Sequence, residues 1–195
     1  MEHEGDIDIL GTIPTEIGLL SSLSTLLVEN TTLYGEVPEE LFLLSNLESV
    51  SIEDCALSGT LPKSLLQAPT LSWLNLRDNR IGGTMDNAAN PGLLALELGS
   101  NQFTGQLPSS LSNELYYLDL SNNPLLTGTV PSSYSKLSLT NLFVEGTSLS
   151  NVERVFCGTG LLDYEEFYAD CGGSRPLILC RCCTHCCDET DCLPN

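Results

Sequence analysis

Between Leu71 and Ile81 the chain reads Leu-Ser-Trp-Leu-Asn-Leu-Arg-Asp-Asn-Arg-Ile, with leucines at offsets zero, three and five, an asparagine at offset eight and an apolar residue at offset ten. The same frame starts again at five other positions, which are Leu23, Leu47, Leu93, Leu115 and Leu139. Successive copies therefore lie 22 or 24 residues apart. A fixed period of this length predicts a solenoid in which every copy forms one coil.

The unit from Leu71 also explains why it has to repeat. Offsets three and five, here Leu74 and Leu76, point to the same face of a short strand because side chains alternate along a strand. One strand cannot bury that face alone, whereas stacked coils bury a continuous apolar column. At offset eight, Asn79 can bridge neighbouring coils through its amide donors and its acceptor. Thr31, Cys55 and Thr147 occupy this offset in other copies, and we expect them to make fewer bonds.

A second motif follows the first in register: Gly11-Thr-Ile-Pro14, Gly35-Glu-Val-Pro38, Gly59-Thr-Leu-Pro62, Gly105-Gln-Leu-Pro108 and Gly128-Thr-Val-Pro131. With these linked motifs, residues 7–150 resemble the plant-type leucine-rich repeat. The resemblance implies a second short strand and a 3₁₀ turn in each coil. Gly83-Thr-Met-Asp86 lacks the proline, so we expect an irregular coil there.

The predicted fold class is therefore an α/β solenoid made mostly of strands and 3₁₀ turns, right-handed, with a parallel sheet on its concave side. We expect a partial, uncapped repeat at residues 1–22, six repeats at 23–150 and a cysteine-rich cap at 151–195.

Charge and hydropathy exclude several kinds of partner. The chain has 26 Asp and Glu against seven Lys and Arg, a formal charge of −19. Such a field repels nucleic acid and anionic membrane surfaces. No apolar run reaches the length of a membrane-spanning helix, so we predict no membrane contact by this chain itself.

The cysteines point to an oxidising compartment. Eight of the nine lie in the tail, and we expect all eight in disulfides: Cys157, Cys171, Cys180, Cys182, Cys183, Cys186, Cys187 and Cys192. Their pairing stays open, because eight cysteines allow 105 connectivities. The alternative is zinc held by part of this cluster together with His185. The tail also resembles the cysteine-rich ends of algal and diatom surface repeat proteins, which implies an extracellular array behind a signal or membrane anchor.

Residues 1–6 contain neither a basic nor an apolar stretch, so no secretory signal is visible. We therefore expect a fragment whose missing part holds a signal, a membrane anchor or a kinase; the alternative is a chain that begins here with a frayed edge. Asn30-Thr-Thr is an acceptor sequence for N-glycosylation, which requires secretory passage.

Outward positions of the stacked strands form columns that suit ligand binding. We predict that Trp73, Asn75, Arg77, Glu97, Tyr117, Asp119 and Phe143 bind a ligand, because aromatics beside Arg and carboxylates have the composition of interface hot spots. Glu97 and Asp119 are expected to lie side by side without a basic partner, so a basic ligand or Ca²⁺ could neutralise them. Their pairing resembles that of retaining glycosidases, but an open face should not shift a carboxyl pKa. The alternative is that the aromatics merely shield the strands.

These observations favour a non-enzymatic recognition module, outside the cell or at its surface, that binds a protein, peptide or glycan. No cofactor or metal is predicted. The alternative is a structural or adhesion segment of a longer surface protein with no discrete ligand site.

Overall fold

The computed structural model describes residues 10–157, 164–171, 182–188 and 192–194. Its strands are β1 (Thr25–Glu29), β2 (Tyr34–Glu36), β3 (Ser49–Glu53), β4 (Ala56–Ser58), β5 (Trp73–Asn75), β6 (Gly82–Gly83), β7 (Ala95–Glu97), β8 (Gln102–Phe103), β9 (Tyr117–Asp119), β10 (Thr127–Thr129), β11 (Asn141–Phe143), β12 (Ser148–Ser150), β13 (Glu166–Ala169), β14 (His185–Cys187) and β15 (Cys192–Pro194). Helical turns are short: 3₁₀ helices span Thr15–Leu19, Glu39–Leu43, Lys63–Gln67, Asp86–Ala88 and Ser132–Lys136, and α1 spans Val152–Phe156.

The predicted solenoid is confirmed. One sheet contains nine strands in the order β1-β3-β5-β7-β9-β11-β13-β14-β15, and every pair except β14–β15 is parallel. The second strand of each plant-type repeat is also present, as the parallel pairs β2–β4, β6–β8 and β10–β12. Each coil thus crosses the concave sheet once and then reaches the opposite side.

The repeated leucines are the core. Leu74 and Leu76 are fully buried, and their equivalents in the neighbouring coils line up with them. Asn101 at offset eight donates through Nδ2 to the carbonyl oxygens of Leu76, Leu98 and Gly99, and its Oδ1 accepts from the amide of Ile81. Asn79 and Asn123 make the same four bonds one coil away on either side.

Coils without asparagine at offset eight make fewer hydrogen bonds there, as expected. The hydroxyl of Thr147 donates only to the carbonyl of Val144, at 2.7 Å, within its own turn. The Cys55 thiol lies 3.3 Å from the Thr31 hydroxyl and 3.2 Å from the Glu53 carbonyl, and Cys55 is a free, half-buried cysteine.

The coil without a proline is irregular, also as expected. The 3₁₀ helix after Gly83 has three residues, whereas the other four have five. In this coil the side-chain Nδ2 of the buried Asn90 donates to the carbonyl oxygens of Leu65 and Ala68 at 2.6 and 3.0 Å, which links the irregular coil to the preceding one.

The concave sheet does not stop at the boundary expected near residue 150. Strand β13 pairs in parallel with β11 and continues the repeat frame with Tyr164, Phe167 and Ala169 at offsets zero, three and five. Phe167 is fully buried and contacts Phe156 of α1 edge-on, with ring centroids 6.1 Å apart. The tail therefore begins with a seventh coil in which aromatic residues replace two leucines.

Disulfides hold the last strands, which confirms the interpretation of the cysteine cluster. The bonds are Cys157–Cys182, Cys171–Cys186 and Cys187–Cys192, and Cys183 is disulfide-bonded as well. Cys180 lies outside the described residues. Cys182, Cys183, Cys186 and Cys187, the cysteines that the zinc alternative requires, are all oxidised in the part of the chain that the structure describes, so none of them is available there as a thiolate ligand.

Two further findings concern the described residues only. None of their helices is long and apolar enough to cross a bilayer. Asn30, the glycosylation candidate, is exposed directly after β1, whereas residues 1–9 lie outside the described ranges.

Candidate functional site

Parallel pairing places the outward side chains of the concave sheet in straight columns. The first column is Thr25, Ser49, Trp73, Ala95, Tyr117, Asn141 and Glu166. The second column is Leu27, Ser51, Asn75, Glu97, Asp119, Phe143, Tyr168 and His185. Neighbouring members of a column are about 4.8 Å apart because they lie on adjacent strands.

A pocket of about 270 Å³ opens in the first column and is called the Trp73 pocket below. It is lined by Ser72, Trp73, Leu94, Ala95, Glu97, Tyr116 and Tyr117. Ala95 lies between Trp73 and Tyr117 in the strand pairing, so a methyl group forms the floor between two aromatic walls. The volume is slightly below the range for whole small-molecule ligands, and it suits one side chain.

Glu97 closes one side of the Trp73 pocket. The indole Nε1 of Trp73 donates to Oε1 of Glu97 at 2.7 Å, which fixes the orientation of both side chains. Trp73 remains 40% exposed. Burial raises the pKa of Glu97, and the negative charges of Asp119 and Glu53 raise it further.

Asn75 and Asp119 do not face solvent, contrary to the expectation of an open face. They are 3% and 1% exposed. Asp119 fills the space left by the missing side chain of Gly99, where a Cβ atom would lie 2.6 Å from its Oδ2. Its Oδ1 accepts hydrogen bonds from the amide and the hydroxyl of Ser121 at 2.8 and 2.6 Å. Asp119 is thus held inside the sheet surface.

Asn75 acts in the same way, as a positioning residue. Its Nδ2 donates to Oε2 of Glu53 at 2.8 Å and to the hydroxyl of Ser51 at 3.2 Å, and its Oδ1 accepts from the Arg77 amide. The network therefore orients Arg77, which is half-buried at the edge of the site.

The expectation that Asp119 lacks a basic partner is wrong, because Arg77 lies beside it. Its Nη1 lies 3.6 Å from Oδ2 of Asp119, and its Nε donates to Asp78 at 3.0 Å. Burial raises the pKa of Asp119, although the Ser121 hydrogen bonds and Arg77 oppose that shift. The expectation that this face leaves carboxyl pKa values unshifted is also wrong. Buried Asp119 nevertheless cannot reach a substrate, which argues against a glycosidase pair.

An aromatic row continues from the pocket toward the tail, and it consists of Tyr117, Phe143, Tyr168 and His185. Successive ring centroids are 5.5, 5.0 and 4.2 Å apart, and the last two rings are nearly parallel at 6°. Sequence reasoning missed Tyr168 and His185. The frame from Tyr164, 25 residues after Leu139, could have placed Tyr168 at offset four.

Two more acids lie beside this row. Asp170 accepts the Gly146 amide hydrogen on both carboxylate oxygens at 3.0 and 2.8 Å. Glu145 lies in a less favourable environment than Asp170, because its Oε2 is buried without a hydrogen-bond partner among the described residues. Burial and the negative charges of Asp119 and Asp170 raise the pKa of Glu145 to about 7.

Within the described residues, no group of three or more histidine, cysteine or acidic side chains is arranged to hold a metal ion. The idea of Ca²⁺ between Glu97 and Asp119 gains no support there, since Arg77 already neutralises Asp119.

Comparison with known proteins agrees with the repeat fold. The family model described as Leucine Rich Repeat matches residues 92–113 and 114–137. No curated protein is significantly similar to the chain in sequence.

Solved structures give longer matches. The chain is 33% identical to a TDR receptor over 73% of its own length, with a TM-score of 0.69. It is 28% identical to the Arabidopsis receptor kinase HAESA, in a complex with the peptide hormone IDA and the co-receptor SERK1, over 77% of its length with a TM-score of 0.70. It is 29% identical to PEPR1, in a complex with AtPEP1, over 73% of its length with a TM-score of 0.69. The chain spans only 25%, 26% and 21% of those three structures.

Proposed function

The chain is a leucine-rich-repeat protein, and from that premise we propose that it is a non-catalytic recognition module, extracellular or at the cell surface, that binds a peptide or protein on its concave sheet. Trp73, Tyr117 and Phe143 would contact the ligand directly, with Glu97 and Arg77 beside them. Asn75 and Asp119 would hold Arg77 in place, because both are buried.

The observation that carries this proposal is the continuous aromatic surface on a rigid sheet. The Trp73 pocket and the aromatic row share Tyr117, so they form one strip across the five coils from β5 to β13 and across β14. Trp and Tyr dominate binding energy at interfaces because they bury much area with few torsions to fix. Side chains on paired strands are also preorganised, which lowers the entropic cost of association.

Structural neighbours support a peptide or protein ligand over a glycan. HAESA was solved with the peptide hormone IDA and a co-receptor, and PEPR1 was solved with AtPEP1. The proposal takes only the class of ligand from these complexes. It carries over no contact residue.

Location outside the cytosol is supported by the oxidised tail. Disulfides of this density persist in secreted proteins and at cell surfaces, whereas cytosolic thiols are kept reduced. HAESA, a structural neighbour, is a receptor kinase, which supports the same location. A longer surface protein that includes this module is part of the proposal.

The experiment is selection of random linear peptides displayed on phage against the immobilised, oxidised protein. Wild type should enrich binders, and the double variant Trp73→Ala with Tyr117→Ala should lose most of them. Tyr34→Ala is the matched control, because Tyr34 is an exposed tyrosine on β2, on the opposite side of the coil. Circular dichroism melting of all three proteins checks that they are folded.

Two results would overturn the proposal. Wild type could enrich nothing beyond the double variant, or the Tyr34 control could lose binding to the same extent. Either result favours the alternative of a structural or adhesion segment without a discrete ligand site.

A further inference from the structure

The Trp73 pocket combines three features in one place. Two aromatic walls stand on strands that flank β7, a carboxylate closes one side, and the floor is the small side chain of Ala95. Trp73 and Tyr117 are rooted two strands apart, which is about 9.6 Å. A methylene chain packed against both walls needs about 7–8 Å between them, or 3.5–4.0 Å on each side. The spacing of the two strands therefore leaves room for one extended aliphatic stem above Ala95.

The charge at the closed side selects a cation. Oε1 of Glu97 accepts the indole hydrogen bond, and among the described residues Oε2 of Glu97 accepts none. Arg77 is the cation of this face, but its guanidinium is committed to Asp78 and Asp119. Burial is the main cause that holds the pKa of Glu97 above its usual range, and the negative charges of Asp119 and Glu53 outweigh the opposing effect of Arg77, so a cation at Glu97 would relieve this environment.

Aromatic faces add to this preference. The ring quadrupole of Trp or Tyr attracts an ammonium or guanidinium group that lies over its face, and Trp does so most strongly. The long apolar stem of lysine or arginine would cover the ring faces while its charged end reaches the carboxylate. A neutral sugar could also stack on Trp73, but it would leave the Glu97 charge without a partner.

We propose that the Trp73 pocket receives the side chain of one lysine or arginine from a basic peptide, with the cationic end at Glu97 and the stem between Trp73 and Tyr117. This inference rests on the proposed function and names the chemical class of its ligand. It gives the overall charge of −19 a specific role in attracting that ligand.

Trp73 itself reports occupancy, because it is the only tryptophan in the chain. Its fluorescence is followed while three probes are added up to millimolar concentration: a short capped peptide with one lysine, the same peptide with acetylated lysine, and a neutral glucan oligosaccharide. For wild type, the lysine peptide should bind at least about fivefold more tightly than its acetylated form.

Three variants locate the effect. Glu97→Gln keeps the shape of the pocket and should lose the preference for free lysine. Ala95→Leu keeps both aromatic walls and the carboxylate but fills the floor, so it should abolish binding of both peptides. Glu36→Gln removes an exposed charge on β2 and should bind as wild type does. Melting temperatures identify any variant that has lost its fold, and Glu97→Gln alone suffices if Ala95→Leu is unstable.

The inference is overturned by equal affinity for free and acetylated lysine, by tighter binding of the oligosaccharide, or by no response to the lysine peptide. It is also overturned if Glu36→Gln reduces the preference as much as Glu97→Gln, because the attraction is then a general charge effect. If phage selection depends on Trp73 and Tyr117 while lysine acetylation changes nothing, the proposed function stands and this inference fails.

Discussion

Glu145 is a carboxylic acid that the fold holds in an unfavourable environment, and replacing it should change how stability depends on pH. Its pKa is raised from 4.5 to about 7, first by burial and then by the charges of Asp119 and Asp170. A folded-state pKa above the unfolded value means that the unfolded chain releases the proton first as pH rises. Stability is therefore lost between about pH 4.5 and 7, and the full loss is present above that window.

The size of the effect follows from the two pKa values. One pKa unit corresponds to about 1.4 kcal/mol, so the limiting penalty is about 3 kcal/mol. Between pH 5 and pH 8 the linkage relation gives a loss of about 2–3 kcal/mol in the free energy of unfolding. Glu145→Gln removes the titration. We expect it to be near neutral or slightly destabilising at pH 5, because its amide lacks a partner beside the buried Oε2 position. At pH 8 it should be more stable than wild type.

Urea unfolding of the oxidised protein at several pH values between 5 and 8 measures this difference, with Trp73 fluorescence and far-UV circular dichroism as two probes of one transition. Glu36→Gln serves as the matched control, because it removes an exposed carboxylate on β2, on the opposite side of the coil. A difference between Glu145→Gln and wild type that stays within about 0.5 kcal/mol across the whole range would refute the reasoning from burial.

Three other substitutions test the packing. Asn101→Ala leaves buried backbone groups of two coils unpaired and should cost about 2–4 kcal/mol in urea unfolding; a cost below that of an ordinary surface change would contradict the asparagine ladder. Gly99→Ala places a Cβ atom 2.6 Å from Oδ2 of Asp119 and should lower the free energy of unfolding by about 1–3 kcal/mol. An unchanged free energy of unfolding would mean that the carboxylate is free to move away. Joint replacement of Cys171 and Cys186 by alanine should cost about 3 kcal/mol in calorimetry and speed amide exchange in β13 and β14; unchanged exchange would argue against this bond as their anchor.

The sequence predicts most of the fold because the repeat is almost strictly local. The offset of a residue within the frame determines whether its side chain is buried in the core, bridges neighbouring coils or faces solvent. The concave strands from β1 to β11 and the asparagine hydrogen bonds can therefore be placed from the offsets alone. The seventh coil does not follow from the leucine frame, because its apolar positions hold Tyr164, Phe167 and Ala169 instead of leucines.

The candidate site is less predictable because it depends on contacts between coils. Nothing in the frame shows that Gly99 leaves room for Asp119, or that Arg77 reaches across two strands to pair with it. His185 is still less accessible to such reasoning. It joins the aromatic row because Cys171 and Cys186 are bonded, and the pairing of eight cysteines cannot be read from their order.

The straight columns of the concave sheet impose a mismatch of spacings on any extended peptide that lies across the strands. Same-side residues of such a peptide recur about every 6.7 Å, whereas the columns offer a position about every 4.8 Å. The two spacings coincide again only after about seven strands, which corresponds to five pairs of peptide residues. A partner can therefore meet this face in full alignment at no more than one or two places. Selectivity for the sequence of a peptide then depends on isolated pockets of the concave sheet. The rest of the sheet accepts many different side chains.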